Sequence, residues 1–231
     1  MTNADRILNF LKNLHLEGTL PEGIHILEPF TSPDVWSICT AFYHKYYDDK
    51  KPRKLMLGIN PGRLGAGSTG VPFTDTKRLN EACDIEFTKF VTHEPSSVFM
   101  YEMMEAYGGV DRFYSHFYIN SVFPLGFIKK DGARVVNFNY YDSKALLKAV
   151  QDDIEKNIRI QHEISGGLPF CYCIGSGKNY TFLSQFNEQM HLFDEIIPLE
   201  HPRFIMQYKS REKSRYIDDY IMKLSKYTIE H

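Results

Sequence analysis

The chain has 231 residues, of which 43% are hydrophobic and 24% charged, so it is long enough for one domain, residues 1–231, with a substantial core. Its formal net charge of −2 excludes a global attraction to nucleic acid, so any contact with DNA must depend on a local basic surface. No apolar run approaches the roughly 18 residues that a membrane span needs, and the amino terminus lacks the features of a signal peptide. We therefore expect a cytoplasmic protein that does not bind membranes.

Two amphipathic helices precede the first predicted strand. Apolar residues recur at helical spacing from Ile7 to Leu14 and again from Val35 to Tyr46. The second pattern follows Ser32, which is typical of a helix N-cap, and Pro33, which favours the first helical position.

The remaining segments alternate between strand and helix patterns. Short runs rich in β-forming residues predict strands at Lys54 to Ile59, Phe117 to Val122, Pro169 to Ile174 and Glu195 to Leu199. Apolar periodicity predicts helices at Ser97 to Tyr107, Ser143 to Ile158, Lys178 to Met190 and Ser210 to Lys226. The alternation favours an α/β fold, a three-layer α/β/α sandwich with a central, mainly parallel four-stranded sheet. Residues 62–84 and 126–141 are predicted to be irregular, and such long loops tend to carry function.

The cysteines and histidines do not form metal-binding patterns. Cys39, Cys83, Cys171 and Cys173 show no Cys-x-x-Cys spacing, and the histidines form no His-x-x-x-His pair. We expect buried free thiols, and neither a zinc site nor an iron–sulfur cluster.

A polar motif follows the first strand of the predicted sheet. Its first part is Gly58 to Gly62, with the sequence GINPG, and its second part is Thr69 to Phe73, with the sequence TGVPF. Open α/β sheets bind ligands at the carboxyl ends of their strands, so Asn60 is predicted to lie at a binding site.

Two further motifs place single polar residues at predicted strand ends. Phe117 to Leu125 (FYINSVFPL) carries Asn120, and Leu199 to Pro202 (LEHP) carries His201 directly after the last strand. Taken alone, an Asn or a His in such a place more often has a structural role. The ordered trio of Asn60, Asn120 and His201 favours a shared site instead.

In order and spacing, these motifs resemble those of the uracil-DNA glycosylase superfamily, most closely its single-strand-selective monofunctional branch. The resemblance covers roughly Lys54 to Arg215 and implies that water cleaves the N-glycosidic bond of uracil or a related base in DNA. By this resemblance Asn60 orients the water, Phe73 stacks on the extruded base, Asn120 reads the edge of the base and His201 stabilises the charge on the leaving base. A buried core position is the alternative for Phe73.

Two more residues are expected to belong to the site. Asp75 lies close to where relatives carry a carboxylate, and we expect it to activate water or stabilise the cationic sugar. Gly62 is expected to border the base, and with the glycine-rich run Gly65 to Gly67 it leaves space for a larger, purine base.

A glycine-containing turn is the first candidate DNA contact. The segment GSGK, with Gly175, Ser176 and Lys178, ends the third predicted strand and starts a helix. It either offers backbone N–H groups to a phosphate or is a simple tight turn.

The segment after His201 and Pro202 is the second candidate. Relatives continue Ser-Pro, whereas this chain continues Arg203 to Tyr208 (RFIMQY), whose apolar residues either insert between base steps or return to the core. Beyond it, a basic cluster either neutralises phosphates or forms a solvated helix face. The expected basic contacts are Arg203, Lys209, Arg211, Lys213 and Arg215.

The favoured function is that of a monofunctional DNA glycosylase of base excision repair, which acts as a monomer on single- or double-stranded DNA without a cofactor. No lysine stands among the motif residues at a strand end, so Schiff-base lyase chemistry is not expected. Two alternatives are left open: a non-catalytic nucleic-acid-binding protein with the same fold, and a glycosylase that acts mainly on deaminated purines.

Overall fold

The computed structural model describes residues 1–227. Its strands are β1 (Ile24–Leu27), β2 (Lys54–Gly58), β3 (Phe117–Ser121), β4 (Gly126–Asp131), β5 (Arg134–Phe138), β6 (Phe170–Ile174) and β7 (Glu195–Leu199). Its α-helices are α1 (Asn3–Lys12), α2 (Pro33–Tyr47), α3 (Ala66–Thr69), α4 (Thr76–Glu81), α5 (Pro95–Tyr107), α6 (Val110–His116), α7 (Lys144–Ser165), α8 (Lys178–Met190), α9 (Pro202–Tyr208) and α10 (Lys213–Leu224).

The centre of the fold is a four-stranded parallel sheet with the order β3-β2-β6-β7. Every residue of β2, β3 and β6 is buried, because helices cover both faces of the sheet. The three-layer α/β/α sandwich expected from the sequence is confirmed. All four central strands therefore end at the same edge, which is where the polar motifs lie.

The bounds predicted for the strands of the central sheet and for most of its flanking helices agree with the structure within a few residues. Strand β7 and helix α8 have the predicted bounds, whereas α7 continues to Ser165, seven residues past the predicted end at Ile158. Pro33 begins α2 as expected, but the Ser32 side chain makes no capping hydrogen bond. The predicted last helix is a 3₁₀ turn, Ser210–Glu212, followed by α10.

A second, three-stranded antiparallel sheet, with the order β1-β4-β5, was not predicted. The expectation that residues 126–141 are irregular was wrong, because β4 and β5 form a hairpin through Gly132, which has a φ of 58°. Strand β5 lacks alternation, since Val135 and Val136 are both exposed. The sequence does contain the pair Asp131-Gly132, which is typical of a hairpin turn. Short helices α3 and α4 also interrupt the predicted irregular stretch 62–84.

All four cysteines are buried and free, as expected. Within residues 1–227, no helix is both long and apolar enough to cross a membrane. The same residues contain no group of three or more His, Cys, Asp or Glu side chains placed to hold a metal ion.

Candidate active site

A cavity of about 340 Å³ opens at the carboxyl ends of the central strands. Its walls are the loop after β2, the last residue of β3, the segment that joins β5 to α7, and helix α9. Four residues singled out in the sequence motifs line it: Asn60, Gly62, Phe73 and His201. The predicted meeting of polar residues at this sheet edge is therefore observed for Asn60 and His201.

The side chain of Asn60 is held by the backbone that follows β5. Its Nδ2 donates to the carbonyl of Phe138 at 3.1 Å, and its Oδ1 accepts from the N–H of Tyr140 at 3.1 Å. These two bonds assign the amide orientation, because an exchange of O and N would break both. One N–H and one lone pair of the carboxamide stay available to a ligand in the cavity.

Phe73 forms part of the cavity wall in an uncommon backbone conformation. Its φ is 54°, in the left-handed region that a non-glycine residue enters at a cost of about 1–3 kcal/mol. Its ring lies 6.0 Å from that of His201 and packs beside Gly58, where an added Cβ would sit 3.4 Å from the ring edge. The side chain is half-buried and lines the cavity, so it is not a core Phe.

His201 begins helix α9 and presents a defined tautomer. As the N-cap, its Nδ1 accepts from the N–H of Arg203 at 3.1 Å, so the ring proton is on Nε2. Burial, together with the charge of Arg203, lowers the pKa of His201 to about 4. Gly175 leaves room beside the ring, since a Cβ there would lie 3.7 Å from Cδ2 of His201. At neutral pH the side chain is an uncharged donor.

Asn120 is not among the residues that line the cavity, and the base-reading role expected for it stays a prediction. It is 3% exposed; its Nδ2 donates to the hydroxyl of Tyr118 at 3.0 Å, and its Oδ1 accepts from the N–H of Ser121 at 2.9 Å. Because successive strand residues point to opposite faces, Asn120 and Tyr118 share one face and Ser121 has the other. Ser121 is the residue of β3 that lines the cavity.

Asp75 is also absent from the cavity lining. It is fully buried and caps α4, where its Oδ1 accepts from the N–H of Arg78 at 3.0 Å. Its Oδ2 accepts from the hydroxyl of Ser97 at 2.8 Å and from the N–H of Glu94 at 3.0 Å. These bonds fasten the start of α5 to α4, and the auxiliary catalytic role expected for Asp75 stays a prediction.

Glu94 lines the cavity and was missed by sequence reasoning. It precedes α5, outside every recognised motif, and its Oε2 is buried without a hydrogen-bond partner. Burial and the nearby charge of Asp75 raise the pKa of Glu94 to about 7, although Arg203 opposes the shift. The sequence carries no local signal for this placement.

The predicted wedge segment forms helix α9, whose residues divide between the two expected roles. Ile205 is completely buried and Met206 packs against the core. Phe204 and Tyr208 are 39% and 66% exposed, line the mouth of the cavity and bring their rings within 5.5 Å of each other. Among the apolar residues of α9, Phe204 and Tyr208 are the exposed ones.

The GSGK turn lies beside the site, but it makes several contacts of its own. The N–H of Gly175, which has a φ of 117°, donates to the carbonyl of Leu199 at 2.8 Å. The hydroxyl of Ser176 donates to Glu200 at 2.9 Å, and Lys178 lies 5.9 Å from the ring of Tyr141. The N–H of Gly175 is therefore not available to a phosphate.

The predicted basic cluster is partly neutralised. Lys209 and Arg215 approach Glu212 at 3.1 and 3.7 Å, and Lys213 approaches Glu102 at 2.7 Å. Arg211 is exposed, and Arg203 lines the cavity itself. The surface next to the site thus offers fewer uncompensated charges than the sequence indicated.

Comparison with known proteins matches this arrangement to one family. The family model of the uracil DNA glycosylase superfamily matches residues 44–225. The crystal structure of wild-type SMUG2 from Pedobacter heparinus superposes with a TM-score of 0.94 at 51% sequence identity, covering 96% of each chain. No curated protein sequence matches the chain. The resemblance seen in the sequence motifs is confirmed, and the chain belongs to the uracil-DNA glycosylase superfamily.

Proposed function

We propose that this protein is a monofunctional DNA glycosylase that hydrolyses the N-glycosidic bond of uracil, or of a related deaminated base, and leaves an abasic site for base excision repair. The observation that carries the proposal is the convergence of Asn60, Phe73 and His201 on one cavity at the carboxyl edge of the sheet. Membership of the superfamily supports the same class of reaction.

In this proposal Asn60 positions the attacking water. Its carboxamide is anchored by two backbone hydrogen bonds and keeps one donor and one acceptor site free. A fixed side chain of this kind holds a water in place without the cost of ordering it during the reaction.

His201 stabilises the leaving base. Glycosidic cleavage passes through an oxocarbenium-like state, in which negative charge accumulates on the departing base. The neutral imidazole donates from Nε2, because Nδ1 already accepts from the backbone of Arg203. A donor placed in advance toward the developing charge is most effective in a buried site.

Recognition of the base is assigned to Phe73 and Ser121. The ring of Phe73 offers a flat apolar surface for stacking, and the hydroxyl of Ser121 offers one donor and acceptor lone pairs to the edge of the base. Asn120 positions Ser121 by accepting a hydrogen bond from its backbone N–H.

The lining of the cavity supports a monofunctional enzyme. No lysine is found among the described residues that line it, so an amine that could form a Schiff base with the sugar is missing there. Water is the nucleophile in this proposal, and the product is an intact strand with an abasic site.

The glycines of the glycine-rich loop allow close packing. A Cβ on Gly65 would lie 2.3 Å from Oε2 of Glu94, and one on Gly67 would lie 2.7 Å from the carbonyl of Gly62. Activity on deaminated purines stays an alternative that the assay below tests.

The test uses labelled single- and double-stranded oligonucleotides that carry one uracil, hypoxanthine or xanthine. The proposal predicts strand breakage at uracil only after treatment with alkali, which identifies a monofunctional glycosylase. Breakage without alkali would contradict the monofunctional assignment. Salt-dependent binding with no breakage on any of the three bases would point to a non-catalytic binding protein.

A further inference from the structure

Glu94 is the one carboxylate among the described residues that line the active-site cavity. It is also part of the wall of a second cavity of about 430 Å³, which shares Gly62, Ser96 and Arg203 with the first. The side chain thus stands where the two cavities adjoin. As the N-cap of α5 it makes no side-chain capping bond, so its carboxylate has no structural partner at the helix end.

The carboxylate of Glu94 is closely packed but not satisfied. Its Oε2 is buried without a hydrogen-bond partner, although such groups are nearly always paired in folded proteins. Both oxygens lie against Gly65, where an added Cβ would come within 2.3 and 2.6 Å of them. Because Glu94 lines both cavities, its carboxyl group borders space that a ligand or a water can occupy.

The protonation state of Glu94 depends on its burial and on the charged groups around it. Burial and the charge of Asp75 raise its pKa to about 7, and Arg203 counteracts them. The carboxyl group is therefore ionised in a substantial fraction of molecules near neutral pH. The surrounding charged and titratable groups are Asp75 with its partners Arg78 and His93, Arg63 across the second cavity, Arg203 and His201.

The two polar motif residues of the site, Asn60 and His201, are not placed to accept a proton from water. Asn60 does not titrate, and its amide orientation is fixed by the backbone at Phe138 and Tyr140. The Nδ1 of His201 already accepts a hydrogen bond, and its Nε2 carries the proton. A separate base is needed if the attacking water is to lose its proton.

We propose that Glu94 is a catalytic residue that acts as the general base, an inference that rests on the proposed glycosylase function. The water oxygen forms a bond to C1′ of the sugar while the N-glycosidic bond breaks and its electron pair stays on the base. The proton of the water passes to the carboxylate of Glu94. From there it is released to the leaving base or to solvent, which restores the ionised carboxylate.

The test compares single-turnover rates of uracil release between pH 5 and 9 for the wild type, Glu94→Gln and Glu94→Asp, with Glu155→Gln on α7 as the surface control. The wild-type rate is expected to rise about tenfold per pH unit below pH about 7 and then to level off. In Glu94→Gln the rate should no longer rise with pH, and its plateau should be about 10²-fold or more below that of the wild type. In Glu94→Asp the rate should still rise with pH but stay lower than in the wild type. Oligonucleotide affinity should not change.

Three results would overturn the inference. A Glu94→Gln variant with the wild-type plateau and pH profile would exclude general-base catalysis by Glu94 while leaving the glycosylase function intact. Equal losses in Glu94→Gln and Glu94→Asp at every pH, with reduced thermal stability, would show a structural role. A wild type that releases no base at any pH would overturn the proposed function and this inference with it.

Discussion

At the residue scale, two polar side chains of the site, those of Asn60 and His201, are held by backbone groups. Asn60 is fixed by residues 138 and 140, and His201 is fixed by the N–H of Arg203. Phe73 is held with a φ of 54°, a strained conformation of the kind that clusters at functional sites. The site is therefore largely organised before a substrate enters, which reduces the reorganisation that catalysis requires.

The base-contacting role proposed for Ser121 can be tested directly. Ser121→Ala should lower the single-turnover rate of uracil excision by about 10- to 100-fold, because it removes a hydroxyl from the cavity wall. DNA affinity should change less than twofold. Ser115→Ala, whose hydroxyl bonds only to the carbonyl of Arg112 on α6, is the matched control. Full activity of Ser121→Ala would refute the assignment.

Glu94 should also make the stability of the protein depend on pH. Its pKa is raised from 4.5 to about 7 in the folded state, so the folded protein holds a proton that the unfolded chain loses. The free energy of unfolding should fall by about 1–3 kcal/mol as the pH rises from 4.5 to 7. Denaturant unfolding of Glu94→Gln should show a smaller fall and a more stable protein at pH 8. An unchanged pH dependence in this variant would argue that Glu94 is not buried as described.

The sequence predicted Asn60 and His201 because each follows a predicted strand, and it predicted Phe73 through the resemblance of its motif to the superfamily. Ser121 was missed because the face to which a strand residue points depends on the register of β3 within the sheet. Glu94 was missed because its burial arises from Asp75 and Gly65, which reach it only through the tertiary fold.

At the element scale, helix α9 is the part of the site that the sequence described least well. Its apolar residues suggested either a wedge or a return to the core. Ile205 faces inward, whereas Phe204 and Tyr208 face outward and stay candidates for the wedge. Helical periodicity over seven residues separates the two faces. The hairpin β4–β5 was missed as an element, yet the segment that leaves it holds Asn60 in place.

The exposed aromatic residues of α9 should help to extrude the target nucleotide. Phe204→Ala and Tyr208→Ala should each lower excision from double-stranded DNA about tenfold, since apolar side chains replace the lost base stacking. Single-stranded DNA has less stacking to replace, so its excision should fall less. Met222→Ala, which removes a similarly exposed side chain from α10, is the control. Equal losses on both substrates would contradict a wedge function.

At the scale of the whole molecule, the parallel sheet explains why residues that are far apart in sequence meet. The strand order β3-β2-β6-β7 brings the ends of β2, β3 and β7 to one edge, and the alternation of strands and helices was sufficient to predict this arrangement. The small antiparallel sheet could not be predicted in the same way, because β1 has only four residues and β5 is largely exposed.

The net charge of −2 means that DNA binding must depend on a few local cations. Exposed Arg211 should contact a phosphate, and Arg211→Ala should reduce the slope of log affinity against log salt concentration by about one. Arg159→Ala, which breaks a surface ion pair with Glu155 on α7, should leave the slope unchanged. Fluorescence anisotropy of labelled oligonucleotides over a salt series measures both. Identical slopes for Arg211→Ala and the wild type would show that Arg211 does not contact a phosphate.

The most direct test of the proposed active site is the amount of free uracil released under single-turnover conditions by the wild type, Asn60→Ala and His201→Ala. We expect the wild type to release one uracil per oligonucleotide. The rate of release should be at least about 100-fold lower in both variants, because each removes a group that acts in the transition state. Both variants should still bind the oligonucleotide. Uracil release at the wild-type rate by either variant would contradict the assignment of the site.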